Sequence, residues 1–331
     1  MVGPIQRSVD GWPGNRGYCR WLMRFTVETW DPAYGSPVHD HDFDRSTQSV
    51  DVTVEQAVAD WRPRTPSSGA EGLDTVTFVD GVRRIDARLW ISDPSGRSRP
   101  GVCASVAAGA VRCTPGRAEL INVVVERGLY TAVEDATTII PPGGAVRPYG
   151  LRRTHDDTDE SLYLGVHRHM TEIEVALADE IDEPGLIVFD GPLGHRDGAN
   201  AVGYVKTHHV DYLEPEQQTV VAALGIGERT PLFRIDGQWS TWSWYLRLPA
   251  PITHGMSGIV RLELPGLGDA ESAADRADAV SAALPRYASE RHKDPRAPQN
   301  LYPISGLERQ LRRRLGDSRL LDRALRRSAA A

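Results

Sequence analysis

Apolar and polar positions along the 331-residue chain change period several times, and each period predicts an element. DTVTFVDG is a β-branched run ending in Asp-Gly, and VRRIDARLWIS follows with alternating residues. Together they predict a hairpin with Gly81 in its turn. Strands are expected at 101–112 and 119–125. Met170, Ile173, Leu177 and Ile181 recur at helical spacing, which predicts a helix over 159–181, stopped by Pro184 and Gly185. LIVFDGPL is an unbroken apolar run of the kind a buried central strand has, and VGYVKTHHV supplies another strand. EPEQQTVVAALG predicts a short helix with Gly225 just past its end. Strands at 232–236, 242–248 and 258–264 follow, then a helix over DAESAADRADAVSAAL and two arginine-rich helical segments. A strand-rich group followed by alternating helices and strands implies an α/β fold, a mixed sheet flanked by helices. Hairpin, helix, buried strand is also the order of an RNase H-like core.

Residues 1–22 read as a polar extension with Gly and Pro, and Met23 is an alternative start. Residues 23–70 form a lead-in. It holds the turn chemistry of DPAYGSP, a short strand and helix in SVDVTVEQAVADW, and the linker-like RPRTPSSGAEG. The main domain is expected at 71–317, and 318–331 is a basic C-terminal tail.

Net charge is −7 with a pI near 5.8, which excludes a simple basic nucleic-acid coat protein. Contact with DNA would need local basic patches or bound metal. The three cysteines, Cys19, Cys103 and Cys113, form neither a CxxC pair nor a zinc spacing. Their sparse, odd count fits a reducing compartment, and Cys103 and Cys113 sit in apolar runs as core residues. No stretch approaches the roughly 20 apolar residues that span a membrane, and no secretory leader is legible. The expected location is cytoplasmic.

The chemistry rests on acids. FVDG and LIVFDGPL resemble one another, and each ends an apolar strand in aspartate, Asp80 and Asp190. A carboxylate in such a place is costly unless it is paired, hydrogen-bonded or on a metal. Two on neighbouring strands need a cation between them, and hard divalent ions prefer carboxylate oxygen. Asp-Gly is also a common turn dipeptide, so each aspartate alone reads as a turn cap. On the helix before LIVFDGPL, Glu174 falls on the apolar stripe with Ile173 and Leu177, and Glu172 is rotated toward solvent.

FVDG, the glutamate-bearing helix, FDGPL, GYVKTHH, WSWYLRL and PRAPQNLYPISGLE stand in the order seen in NurA-like nucleases, and FTVETWDPAYGSPV resembles that family's opening. The resemblance covers roughly residues 23–317 and points to the bacterial branch. It implies an RNase H-like fold and a homodimer. It also implies manganese- or magnesium-dependent cleavage of DNA, with 5′-to-3′ exonuclease and single-strand endonuclease activity. A HerA-like hexameric ATPase would be the partner in DNA end processing and repair. By position, Asp80, Glu174 and Asp190 would hold metal, and Tyr302 matches a family tyrosine. The family histidine eight residues later is replaced by Gln310, and His292 is a possible substitute. In the two-ion scheme this implies, Asp80 and Asp190 share the ions, Glu174 completes their shell, and Lys206 offsets phosphate charge.

The tail from Leu301 carries eight arginines against three acidic residues. Arg312, Arg313 and Arg314 are consecutive, a cluster suited to phosphate and equally to a solvated helix or an acidic partner. HDHDFD at 39–44 reads as a solvated acidic loop, and neither His167, His169, His208 nor His209 is assigned as a ligand. The tryptophans Trp239, Trp242 and Trp244 read as core or interface. Two further readings stay open: a catalytically silent clamp that binds DNA or an ATPase, and an RNase H-related phosphotransferase. The second lacks a glycine-rich phosphate loop.

Overall fold

In the computed structural model a single long antiparallel meander anchors the sheet. The structure describes residues 24–27, 48–67, 73–92, 96–181, 185–194, 196, 198–206, 211–237, 239–252, 254–294 and 296–330. The readings of residues 1–22, of 39–44, and of His208 and His209 lie outside these.

Among the described residues eleven strands form one sheet: β1 (Arg24–Val27), β2 (Ser49–Asp51), β3 (Val76–Ser92), β4 (Ser98–Thr114), β5 (Arg117–Thr131), β6 (Gly150–Arg153), β7 (Leu186–Asp190), β8 (Ala201–Val205), β9 (Phe233–Asp236), β10 (Thr241–Arg247) and β11 (Ile259–Pro265). The helices are α1 (Asp159–Asp179), α2 (Pro215–Ala223), α3 (Ala270–Ala283), α4 (Tyr302–Arg314) and α5 (Ser318–Ala330). Strand order is β2-β9-β10-β11-β8-β7-β3-β4-β5-β6, with β1 also on β3. Within it, β3, β4 and β5 are antiparallel, while β7 joins β3 and β8 joins β7 in parallel. A meander, a crossing helix and two parallel strands on the meander's first strand make the RNase H-like core that the order of elements implied.

The expected hairpin at Gly81 does not exist. β3 runs unbroken through Asp80 and Gly81, paired to β4 at both residues, and the hairpin turn lies instead between β3 and β4. Gly81 is glycine because α1 lies on it. A Cβ there would fall on the Glu174 carboxylate and 2.7 Å from Cγ of Met170. The Asp-Gly pair thus marks a close helix–strand approach rather than a turn.

Three smaller expectations change for tertiary reasons. The lead-in helix is only a short 3-10 turn at Val58–Asp60. Glu55 is drawn inward to a bidentate pair with buried Arg229, and Trp61 donates its indole N–H to the Val52 carbonyl. Gly225 is not a left-handed cap. The last carbonyls of α2 are instead taken by the buried guanidinium of Arg247, which donates to Leu224 and Ala222. The basic tail is α5, which buries Leu321 and Leu325. Leu325 packs in one cluster with Ala87 and Leu89 of β3.

Strand alternation sorts the core onto two faces. On one face, Phe78 and Val82 of β3, Val188 of β7 and Tyr204 of β8 pack under α3 and under Ile304, Leu307 and Leu311 of α4. On the other, α1 lays Leu162, Val166, Met170 and Ile173 over β4. Cys103 and Cys113 are buried free thiols, and Trp242 and Trp244 are core residues. No helix among the described residues is long and apolar enough to cross a membrane.

Because α1 closes on Gly81, Gly81→Ala should lower stability by about 1–3 kcal/mol, the usual cost of overpacking. An unchanged urea midpoint would mean that α1 does not press on the strand as described.

Candidate metal centre

Strand register delivers the first two acids together. Val79 of β3 pairs with Phe189 of β7 in parallel, so Asp80 and Asp190 follow side by side, one step past the last pair. Both point to the face of Phe78 and Val188. Asp190 pairs across to Tyr204 on β8, and Lys206 lies two residues further on the same side. The Lys206 ammonium donates to Asp190 Oδ2 at 2.5 Å and to Asn300 Oδ1 at 3.1 Å.

The third acid is one that sequence reasoning missed. α4 crosses this face, and Glu308 stands one helical turn after Ile304. One carboxylate oxygen each from Asp80, Asp190 and Glu308 lie within 4.8 Å of one another. The signal was available: Ile304, Leu307 and Leu311 mark the inward stripe, and Glu308 sits on it as Glu174 sits on the stripe of α1. Gln310, at the position of the family histidine, is on the exposed side, and exposed His292 pairs with Glu290.

α4 is held at both ends. Gly316 turns left-handed at φ 85° just past it. The carbonyls of Leu315 and Gly316 accept from Arg127 and Arg84 at 3.0 and 2.8 Å. At the other end, Asp294 accepts from Asn300 Nδ2 at 2.7 Å and from the Ser305 hydroxyl at 2.9 Å, while Tyr204 donates to the Gln299 carbonyl. The loop before α4 is therefore tied to β8, the strand that leads into Lys206.

Glu174 is buried on α1, against Gly81, and pairs with Arg196. It stands outside the group of three, yet its charge contributes to raising Asp80. Glu172 faces solvent and pairs with Arg152. Tyr302 opens α4. Its ring lies 5.0 Å from the Lys293 ammonium, and its hydroxyl makes no hydrogen bond to these carboxylates. Arg312, Arg313 and Arg314 are exposed in the last turn of α4. His167 and His169 have protein partners; buried His169 bonds the Tyr130 hydroxyl and Glu126.

Burial lifts the Asp80 carboxyl well above the ordinary aspartate range, and the charges of Asp190 and Glu174 lift it further. Burial also raises Asp190, against the opposing pull of Lys206. Glu174 is raised by burial despite Arg196. Two buried oxygens, Oδ2 of Asp80 and Oδ1 of Asp190, accept no hydrogen bond. An unsatisfied buried carboxylate oxygen is expensive. Oxygens bound to one ion at 2.0–2.6 Å lie no more than about 5 Å apart, so these three acids fit a divalent cation.

The raised aspartates set the sign of a pH effect. The folded, metal-free protein keeps protons that the unfolded chain releases near pH 4. That stability is full below the unfolded value and is lost as pH rises through the folded ones. Asp80→Asn in chelator should therefore unfold at a higher temperature than the parent at pH 7, with the gap closing toward pH 4. A variant less stable than its parent at pH 7 would contradict the crowding described.

No family model matches the chain, and no curated protein matches it. Among solved structures it is similar to the NurA nuclease from Sulfolobus solfataricus, at 13% identity and a TM-score of 0.46, over 78% of this chain and 86% of that one. It is similar also to endonuclease V from Bacillus subtilis, at 12% identity and a TM-score of 0.33, over 75% and 83%. The catalytic domain of human endonuclease V matches at 18% identity and a TM-score of 0.33, over 78% and 92%.

Proposed function

We propose that the chain is a divalent-metal-dependent DNA nuclease whose ion is held by Asp80, Asp190 and Glu308. The observation that carries this reading is the convergence of the three acids with two buried oxygens lacking any partner. The ordered motifs shared with NurA-like nucleases supply the reaction class. When bound, the metal would lower the pKa of a water and neutralise charge on the scissile phosphate.

The protein's own groups have separable tasks. Asp80 and Asp190 present the unpartnered oxygens. Glu308 closes the shell from the helix side. Glu174 adds negative charge from the opposite face, and its pairing with Arg196 makes it a supporting group rather than a first ligand. Lys206, fixed between Asp190 and Asn300, is placed to offset charge on a phosphate oxygen. Tyr302 is a candidate for orienting substrate through its hydroxyl. Arg312, Arg313 and Arg314 form a solvent-facing patch for the DNA backbone. Manganese as the preferred ion, 5′-to-3′ exonuclease and single-strand endonuclease action, a role in repair, a homodimer, a HerA-like ATPase partner and a cytoplasmic location rest on the motif resemblance.

A second reading has its own support. Lys206 and Arg296 neutralise carboxylates of the centre without metal, and Arg196 neutralises Glu174 beside it, as in a silent clamp that only binds DNA or an ATPase.

Digestion of labelled DNA with manganese separates the readings. Asp80→Asn, Asp190→Asn and Glu308→Gln should each cut activity at least about a hundredfold, in line with losing charge stabilisation at the reacting phosphate. Full activity in any of them removes that residue from the centre. Replacing Arg312–Arg314 with glutamine should leave turnover at low salt intact. It should flatten the dependence of DNA affinity on salt, by roughly one unit of log–log slope for each phosphate no longer neutralised.

A further inference from the structure

Among the described residues Lys206 and Arg296 pair with acids of the centre and Arg196 with Glu174 beside it, and these cations are not held alike. Arg196 is nearly buried, donates to the Pro192 carbonyl at 2.7 Å and lies 4.8 Å over the Phe189 ring. Lys206 is clamped between Asp190 and Asn300. Arg296 differs. Its backbone is fixed, since its N–H donates to Asp294 at 2.8 Å, but its side chain is 52% exposed. Its guanidinium forks onto Glu308, Nη1 to Oε1 at 3.2 Å and Nη2 to Oε2 at 2.8 Å, while Nε stays 3.7 Å from Asp294 Oδ1, a longer contact that leaves the fork itself to Glu308.

Glu308 thus has two prospective partners for the same two oxygens. A divalent ion shared with Asp80 and Asp190 would draw on the lone pairs that Arg296 now occupies, and it would repel the guanidinium. A planar fork that fits a carboxylate also fits a phosphate.

We propose that Arg296 is a nucleic-acid phosphate ligand held in reserve on Glu308 and released to the substrate phosphodiester when a divalent ion takes Glu308. The proposal rests on the metal-dependent nuclease reading. In the metal-free state Arg296 neutralises the site and competes with the ion. In the loaded state it binds the substrate backbone beside the reacting centre. No residue of this role is legible from the motif PRAPQN alone.

Opposite effects on two ligands test it. Manganese binding to the full chain is measured by calorimetry. Binding of a fluorescein-labelled single-stranded oligonucleotide is measured by anisotropy, with calcium replacing manganese to prevent cleavage. Arg296→Ala should bind manganese several-fold more tightly and the oligonucleotide roughly tenfold more weakly, the worth of one charged hydrogen bond. Its salt slope should fall by about 0.7, the value for one single-strand phosphate contact. Arg296→Lys keeps the charge without the fork and should fall between parent and alanine variant on both scales. An alanine variant that loses manganese affinity would make Arg296 a scaffold for Glu308 and overturn the proposal, as would one that binds both ligands like the parent. A parent chain that binds no manganese overturns the nuclease reading itself, and this proposal with it.

Discussion

Carboxylates within 4.8 Å of one another repel, and that repulsion organises the centre of this molecule. At an effective dielectric near 20, one such pair costs about 3.5 kcal/mol. The arrangement persists because the acids sit on elements with little freedom to separate. Asp80 is locked within a 17-residue strand with β4 along its whole length. Asp190 ends the neighbouring strand in register with it. Glu308 is carried by a helix whose far end is fastened by Arg84 and Arg127. Basic side chains then occupy the positions where charge would otherwise be left uncompensated.

One of those fastenings reaches back into the strand that carries Asp80. Arg84 donates to Asp86 as well as to the end of α4. Asp86 is fully buried at the irregularity between Ile85 and Ala87, where the β3–β4 register shifts. The Ser105 and Tyr149 hydroxyls satisfy it at 2.5 and 3.0 Å. Arg84 faces α4 by plain alternation from Asp80 and Val82, and its pair with Asp86 at the irregularity ties that stretch of β3 to the end of the helix that carries Glu308.

Much of this was legible in the sequence, for identifiable reasons. Period and length alone located α1, β7 and the strand-rich first half. The apolar stripe on α1 distinguished buried Glu174 from exposed Glu172. Misreadings arose where a distant partner set the local structure. Gly81 looked like a turn because Asp-Gly usually is one, and only the approach of Met170 and Glu174 explains it. The lead-in helix lost to the pull of Arg229 on Glu55, 174 residues away in the chain. Glu308 escaped because the family pattern points to a histidine two residues later, although helical spacing places that position outside and Glu308 inside. The pairing of Arg296 with Glu308 has no sequence signature, since an offset of 12 residues spans a loop and a helix start.

The three acids come from positions 80, 190 and 308, and the last lies on α4. During synthesis the strands of Asp80 and Asp190 are complete long before that helix emerges. A growing chain shorter than 308 residues therefore carries the two aspartates without the third carboxylate that meets them in the finished fold. The order in which the polypeptide is made brings Glu308 in last, after every strand of the sheet that it meets.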